Sequence, residues 1–177
     1  MKRCILIGLA ILIMIVTIAA TSTYTKITFP NKIPAMVVKQ PKDKYTWVSP
    51  DPDVFTEFAQ PKIKFGTRAY LAHSYGTGKY LYDLSIGDKI LIDDKEYIVT
   101  HIMKYQSKIP SSPYSPQIDL ITGKTYSIKE LFVKIFGNNK QVVFQTCINA
   151  FDNPNWGRMF VIVEESTEGN EVNEIWL

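Results

Sequence analysis

Val142-Val143-Phe144-Gln145-Thr146-Cys147 and, a short way on, Trp156-Gly157-Arg158-Met159-Phe160-Val161-Ile162-Val163 are the two runs on which the fold turns. Both are rich in β-branched and aromatic residues, which suit the pleated, half-buried surface of a strand. Between them, residues 149–155 read as a polar loop, with Asp152, Asn153 and Pro154 as turn formers. If the strands are neighbours, Cys147 ends one and Arg158 begins the next. A thiol then faces a guanidinium across a connection longer than the roughly two to five residues of an ordinary hairpin. A fixed positive charge favours thiolate over thiol and can stabilise an oxyanion forming beside the sulfur. The competing reading is a buried cysteine behaving as a small hydrophobe near a surface arginine. The pair alone does not choose between them.

The chain has 177 residues, 46% of them hydrophobic and 12% aromatic, which is enough to bury a core. Without Lys2 and Arg3 its twenty basic residues become eighteen, against seventeen acids. So nearly neutral a domain, with no basic cluster, argues against nucleic acid as a partner. The two cysteines, Cys4 and Cys147, do not read as a structural disulfide, because Cys4 belongs to an apolar N-terminal segment.

That segment, residues 4–20, carries no charge and reaches the roughly 17 residues that a bilayer-crossing helix needs at minimum. Lys2 and Arg3 before it predict a cytoplasmic N-terminus and an extracytoplasmic domain. A cleavable signal peptide is the alternative, cut after Thr17-Ile18-Ala19 or Ile18-Ala19-Ala20. The apolar run is longer than a usual signal core, so an uncleaved single-pass anchor in the cell membrane is the reading adopted. A lone cysteine outside the cytoplasm, where thiols tend to pair or oxidise, then calls for a reason.

The expected organisation is an anchor over residues 1–21, a stalk over 22–34 and a β domain over 35–177. Residues 35–39 and 45–48 are strand candidates, and 52–59 a helical turn. Residues 64–75 read as a strand carrying His73 into a flexible Gly-rich loop, Tyr75-Gly76-Thr77-Gly78. Residues 89–92 and 96–104 read as strands joined by a tight turn, and 105–119, with Pro110, Pro113 and Pro116, as an exposed loop. Ser127-Ile128-Lys129-Glu130 fits a capping box, and Ile128, Leu131, Phe132 and Ile135 share one helical face. Glutamates 164, 165, 168, 171 and 174 read as a solvated acidic tail. Short strands with one helix predict a mainly β fold, a barrel or sandwich. Of the two histidines, His73 stands where a strand breaks into a loop, the usual place for a functional side chain. His101 lies within an alternating strand and reads as structural or surface.

Over roughly residues 62–165 the sequence resembles the sortases. Leu71-Ala72-His73-Ser74 is similar to the family's histidine motif, Gln145-Thr146-Cys147 to the end of its cysteine motif, and Arg158 with its strand to its arginine. The chain departs from the family in Val143 and Phe144, where threonine and leucine are usual, and in Ala72, where glycine commonly precedes the histidine. Val143 and Phe144 are expected to alter the floor of the groove more than the chemistry.

The resemblance implies a closed or nearly closed barrel of about seven to eight strands and a transpeptidase needing no cofactor or metal. Cys147, His73 and Arg158 would be catalytic, with Thr146 and Ser74 supporting substrate or oxyanion. Its partners would be a C-terminal sorting-signal peptide and an amine from cell-wall peptide or a pilin lysine. Residues 110–118 and 127–136 would wall the groove. An L,D-transpeptidase would need a His-Gly-Cys type sequence, and papain-like or amidase enzymes place cysteine before histidine, so neither fits. An anchored β-barrel that binds peptide or scaffolds a surface assembly without catalysis is the remaining alternative.

Overall fold

Residues 24–112 and 114–166 are described in a computed structural model. The strands are β1 (Lys26–Thr28), β2 (Ala35–Lys39), β3 (Val54–Glu57), β4 (Arg68–Leu71), β5 (Lys89–Ile92), β6 (Lys95–Ser107), β7 (Gln117–Asp119), β8 (Thr125–Tyr126), β9 (Gln141–Ala150) and β10 (Asn153–Glu165). Two short α-helices, α1 (Ala59–Phe65) and α2 (Ile128–Phe136), and a 3-10 helix (Thr77–Asp83) are set among them. Neighbours run β10-β9-β4-β3-β2-β1-β5-β6, and β6 pairs again with β10, so eight strands close into a barrel. Closure leaves those strands no open edge, as in other barrels. The β7–β8 hairpin extends the sheet from the far half of β6.

Period-two alternation divides the side chains between two cores. Val142 and Phe144 of β9, Met159, Val161 and Val163 of β10, and Tyr70 of β4 point into the barrel. There Phe144 packs against Phe29, Phe55 and Tyr70 with ring centroids 5.8, 5.5 and 5.3 Å away. Val143, Phe160, Ile162 and Ala69 point outward and are covered by Leu131, Ile135 and Phe136 of α2. Val143 and Phe144 are both 0% exposed. Neither floors an open groove, contrary to the sequence expectation; Val143 lies beneath a helix and Phe144 inside the barrel.

Several boundaries differ from the sequence reading. The stretch read as a stalk contains β1, whose fully buried Ile27 holds the strand between β2 and β5. Within residues 52–59 the strand β3 (Val54–Glu57) forms instead of a helical turn, and α1 begins at Ala59. Pro61 sits in the first turn of α1, where its missing N–H costs no bond, and Gly66 ends the helix in a left-handed conformation at φ 76°. Lys64 and Phe65 are therefore helical, and only residues 68–71 remain strand. No strand forms over residues 45–48. The loop expected over 105–119 is shorter, because β6 continues to Ser107 and β7 begins at Gln117. Among the described residues no helix is long and apolar enough to cross a membrane, and residues 4–20 and the tail beyond 166 lie outside them.

The helix read from its capping box is present. Ser127 accepts from the Glu130 N–H at 3.3 Å, and Glu130 accepts in return from the Ser127 N–H at 2.8 Å. The side-chain hydrogen bond from Ser127, then the backbone one, holds the Glu130 carboxyl below the usual range. Ser127→Ala is expected to lower unfolding stability by about 1 kcal/mol, measured by urea denaturation, through the lost cap.

Candidate active site

β9, which carries Cys147, lies between β4 and β10. In the antiparallel β9–β10 ladder, Arg158 is the direct partner of Cys147. Directly opposed residues share a face of the sheet. That face is the outer one, continuous with Gln145 opposite Phe160 and Val143 opposite Ile162. α2 covers the latter pairs, while Cys147 and Arg158 are half-buried. On the other side of β9 the parallel β4 ladder runs to Leu71 opposite Gln145 and is prolonged by the Ala72 N–H donating to the Gln145 carbonyl at 3.1 Å. Extending the register of this ladder by two residues sets His73 level with Cys147. Since Ala72 faces the barrel interior, alternation turns His73 outward. By strand order, Arg158 of β10 and the segment leading from β4 to His73 lie on opposite sides of β9.

The connection between β9 and β10 is not the long loop expected. β9 runs to Ala150 and β10 starts at Asn153, joined by Phe151 and Asp152 at φ 52° and 57°. Two left-handed residues make a turn whose twist matches that of the flanking strands. The extra residues appear as an irregularity in β10: Asn153 pairs with Ala150, and the next pair is Gly157 with Ile148. This bulge directs the Asn155 side chain and two main-chain carbonyls at the site. The Arg158 guanidinium donates to the Gly157 carbonyl at 2.8 Å and to that of Asn155 at 3.5 Å. The Cys147 thiol donates to Asn155 Oδ1 at 3.8 Å. Gly157 is required here, because a Cβ would strike the Tyr105 carbonyl of β6.

Arg158 takes part in none of the ion pairs among the described residues. Among the described residues no carboxylate pairs with its charge beside the thiol, which leaves it available to an anionic group. No cluster of three His, Cys, Asp or Glu side chains suited to a metal occurs among the described residues.

Thr146 and Ser74 do something other than line the site with Cys147. Thr146 is 1% exposed, faces the barrel interior and donates through Oγ1 to the Ala72 carbonyl at 3.0 Å. Its hydroxyl therefore ties β9 to the residue before His73 instead of facing an oxyanion. Ser74 donates to Asn149 Oδ1 at 3.3 Å, linking the same two segments near the surface. The segment read as a flexible Gly-rich loop is clamped. Gly76, Thr77 and Gly78 are buried, the Thr77 N–H donates to the Pro52 carbonyl at 2.7 Å, and a Cβ on Gly78 would strike Thr146 Oγ1. These glycines serve close packing more than freedom. His101 is exposed and pairs with Ile162 well along β10 from Arg158.

Asn155 and Tyr82 escaped the sequence reading. Asn155 stood within the expected loop, and no residue pattern announces the bulge. Tyr82, at the end of the 3-10 helix, donates to the Cys147 carbonyl at 2.6 Å and fixes the backbone that carries the thiol. Burial, and after it the neighbouring Cys147, raises the Tyr82 phenol above its usual range.

No family model matches the chain, and no curated protein does. Solved structures do. Listeria monocytogenes sortase A is 15% identical, with a TM-score of 0.51 over 81% of this chain and 86% of that one. Corynebacterium diphtheriae sortase A is 14% identical, with a TM-score of 0.52 over 81% of this chain and 60% of that one. A lid mutant of the latter is 13% identical at a TM-score of 0.51, over 81% and 70%. The chain has the sortase fold. At such identities the likeness speaks for the fold alone, and the chemistry has to be argued from the residues.

Proposed function

We propose that the protein is a membrane-anchored, extracytoplasmic cysteine transpeptidase that cleaves a C-terminal sorting signal through a thioester and joins the product to an amine. The observation that carries this reading is the Cys147–Arg158 ladder pair, half-buried on the outer face of a sortase-fold barrel, with the strand that leads to His73 paired on the other edge of β9. Nucleophilic cysteine chemistry needs a thiolate, a donor for the leaving group and a cation for the developing oxyanion. These three side chains match those needs.

In the proposed reaction the Cys147 thiolate attacks a backbone carbonyl carbon, and the oxygen that gains the electron pair is held by Arg158. Collapse of this intermediate breaks the C–N bond, and His73 gives a proton to the departing amine. A thioester is left on Cys147. A second amine attacks it, His73 takes that amine's proton, and the new amide leaves as the thiolate is restored. The acceptor is cell-wall peptide or a pilin lysine. Thr146 and Ser74 support the site indirectly, by holding the segment that carries His73. Residues 110–118 and 127–136 wall the groove for the peptide in this reading. Residues 4–20 form the anchor and hold the barrel outside the membrane. Protease added to intact cells or spheroplasts is then expected to digest the barrel, and full protection would overturn this orientation.

The detergent-solubilised full chain, incubated with a sorting-signal peptide library, is expected to gain a peptide mass on Cys147 that a primary amine then releases as a ligated product. A chain that binds peptide but never forms the adduct would instead be an anchored, non-catalytic peptide-binding barrel.

A further inference from the structure

His73 enters the hydrogen bonds of the described residues through its carbonyl, which accepts from the Gly76 N–H at 3.0 Å. Its ring is in none of their ion pairs. A catalytic imidazole has to be held in orientation, a task that a carboxylate performs in the Ser-His-Asp arrangement. Here the ring contacts an aromatic face. The Tyr75 ring stacks on it with centroids 4.9 Å apart and 9° between the planes. The turn from His73 to Gly76 makes this stack, folding the side chains two residues apart onto each other. Gly76 seals the turn, since a Cβ there would strike the Pro52 carbonyl. Tyr75 is 63% exposed, so it contributes little to the core.

We propose that Tyr75 is a positioning residue that holds the His73 ring by face-on stacking, in place of a carboxylate. The proposal rests on the reading of His73 as the acid and base. A flat neighbour limits rotation of the imidazole, and an aromatic face attracts it most when it is a cation, the form that donates to the leaving amine. An aromatic face serves both protonation states, whereas a carboxylate would bind the imidazolium strongly. The stack therefore suits a histidine that is first an acid and then a base.

The test uses the full chain in detergent with Tyr75→Phe, Tyr75→Leu and Tyr75→Ala. Phenylalanine keeps the ring face, leucine keeps bulk without it, and alanine keeps neither. Tyr75→Leu and Tyr75→Ala are expected to lose kcat on the order of tenfold, the scale of a mispositioned catalytic group, with KM little changed. Tyr75→Phe is expected to retain the native rate. The spectroscopic readout does not depend on turnover. The chain has two histidines, so the His73 ring protons are assigned by comparison with His101→Gln. They are expected upfield in the native chain and in Tyr75→Phe, through the ring current of the stacked face, and downfield in the other two variants. His73 signals that do not move in Tyr75→Ala would overturn the stack, and unchanged kcat in Tyr75→Leu and Tyr75→Ala would overturn its positioning role. Failure of the native chain to form a thioester would overturn the transpeptidase reading instead, and is told apart because the His73 signals still respond to Tyr75.

Discussion

Cys147→Ala is expected to abolish the covalent peptide adduct altogether, with no residual ligation above the uncatalysed background. Cys147 is the free cysteine of the described residues, and Cys4 precedes the barrel by the full length of the apolar segment. No second nucleophile of the same kind flanks His73 and Arg158. The fold is expected to survive, because the half-buried thiol makes one long hydrogen bond, to Asn155 at 3.8 Å, and belongs to neither core. A change in stability within about 0.5 kcal/mol, typical of a surface site, should accompany the loss. Intact-mass spectrometry after incubation with peptide reads the adduct, and urea denaturation reads the fold. A full-size adduct on the alanine variant would remove Cys147 from the mechanism.

Arg158→Lys is expected to reduce kcat by about 10² to 10³, the cost of removing an oxyanion donor, even though the charge is kept. Guanidinium presents a planar fork of donors, whereas ammonium is a compact point charge on a flexible stem. In the free protein the fork already spends Nη1 on the Gly157 and Asn155 carbonyls, which aims the rest of the group along the outer face. Lysine cannot reproduce that brace. The loss is expected in kcat with a smaller effect on KM, because the oxyanion exists in the transition state and not in bound substrate. A lysine variant within a few-fold of the native rate would show that charge alone suffices and that the brace has no catalytic part.

How these side chains meet separates what is local in the chain from what is not. Alternating β-branched and aromatic residues marked β9 and β10 as strands, and two such strands close in sequence pair antiparallel. Once the two strands pair, Cys147 falls opposite Arg158. The capping box did the same for α2, since Ser127 and Glu130 satisfy each other's backbone within a single turn. Charge and the apolar run at residues 4–20 set expectations for partners and topology that need no fold at all.

The turn between the strands was different. Phe151 at φ 52° is a bulky residue in a conformation that turn rules reserve mainly for Gly, Asn and Asp, so the two-residue hairpin looked like a longer loop. Long pairing on both sides holds it there: β10 is bound to β9 along one edge and to β6 along the other. The resulting bulge, and with it Asn155 at the thiol, follows from that pairing and not from local preference.

By itself the sequence determined β9 and β10, the capped helix and the residue types able to carry cysteine chemistry, because each depends on neighbours within a turn or a hairpin. Only the tertiary structure decided that the strand leading to His73 runs beside the one carrying Cys147, and that Thr146 faces the barrel interior. A parallel pairing of β4 with β9, tied by the Thr146–Ala72 hydrogen bond across 74 residues, has no local signature. It exists because closing the barrel buries Tyr70, Ala72 and Phe144 together, and that burial is shared among segments that do not predict one another.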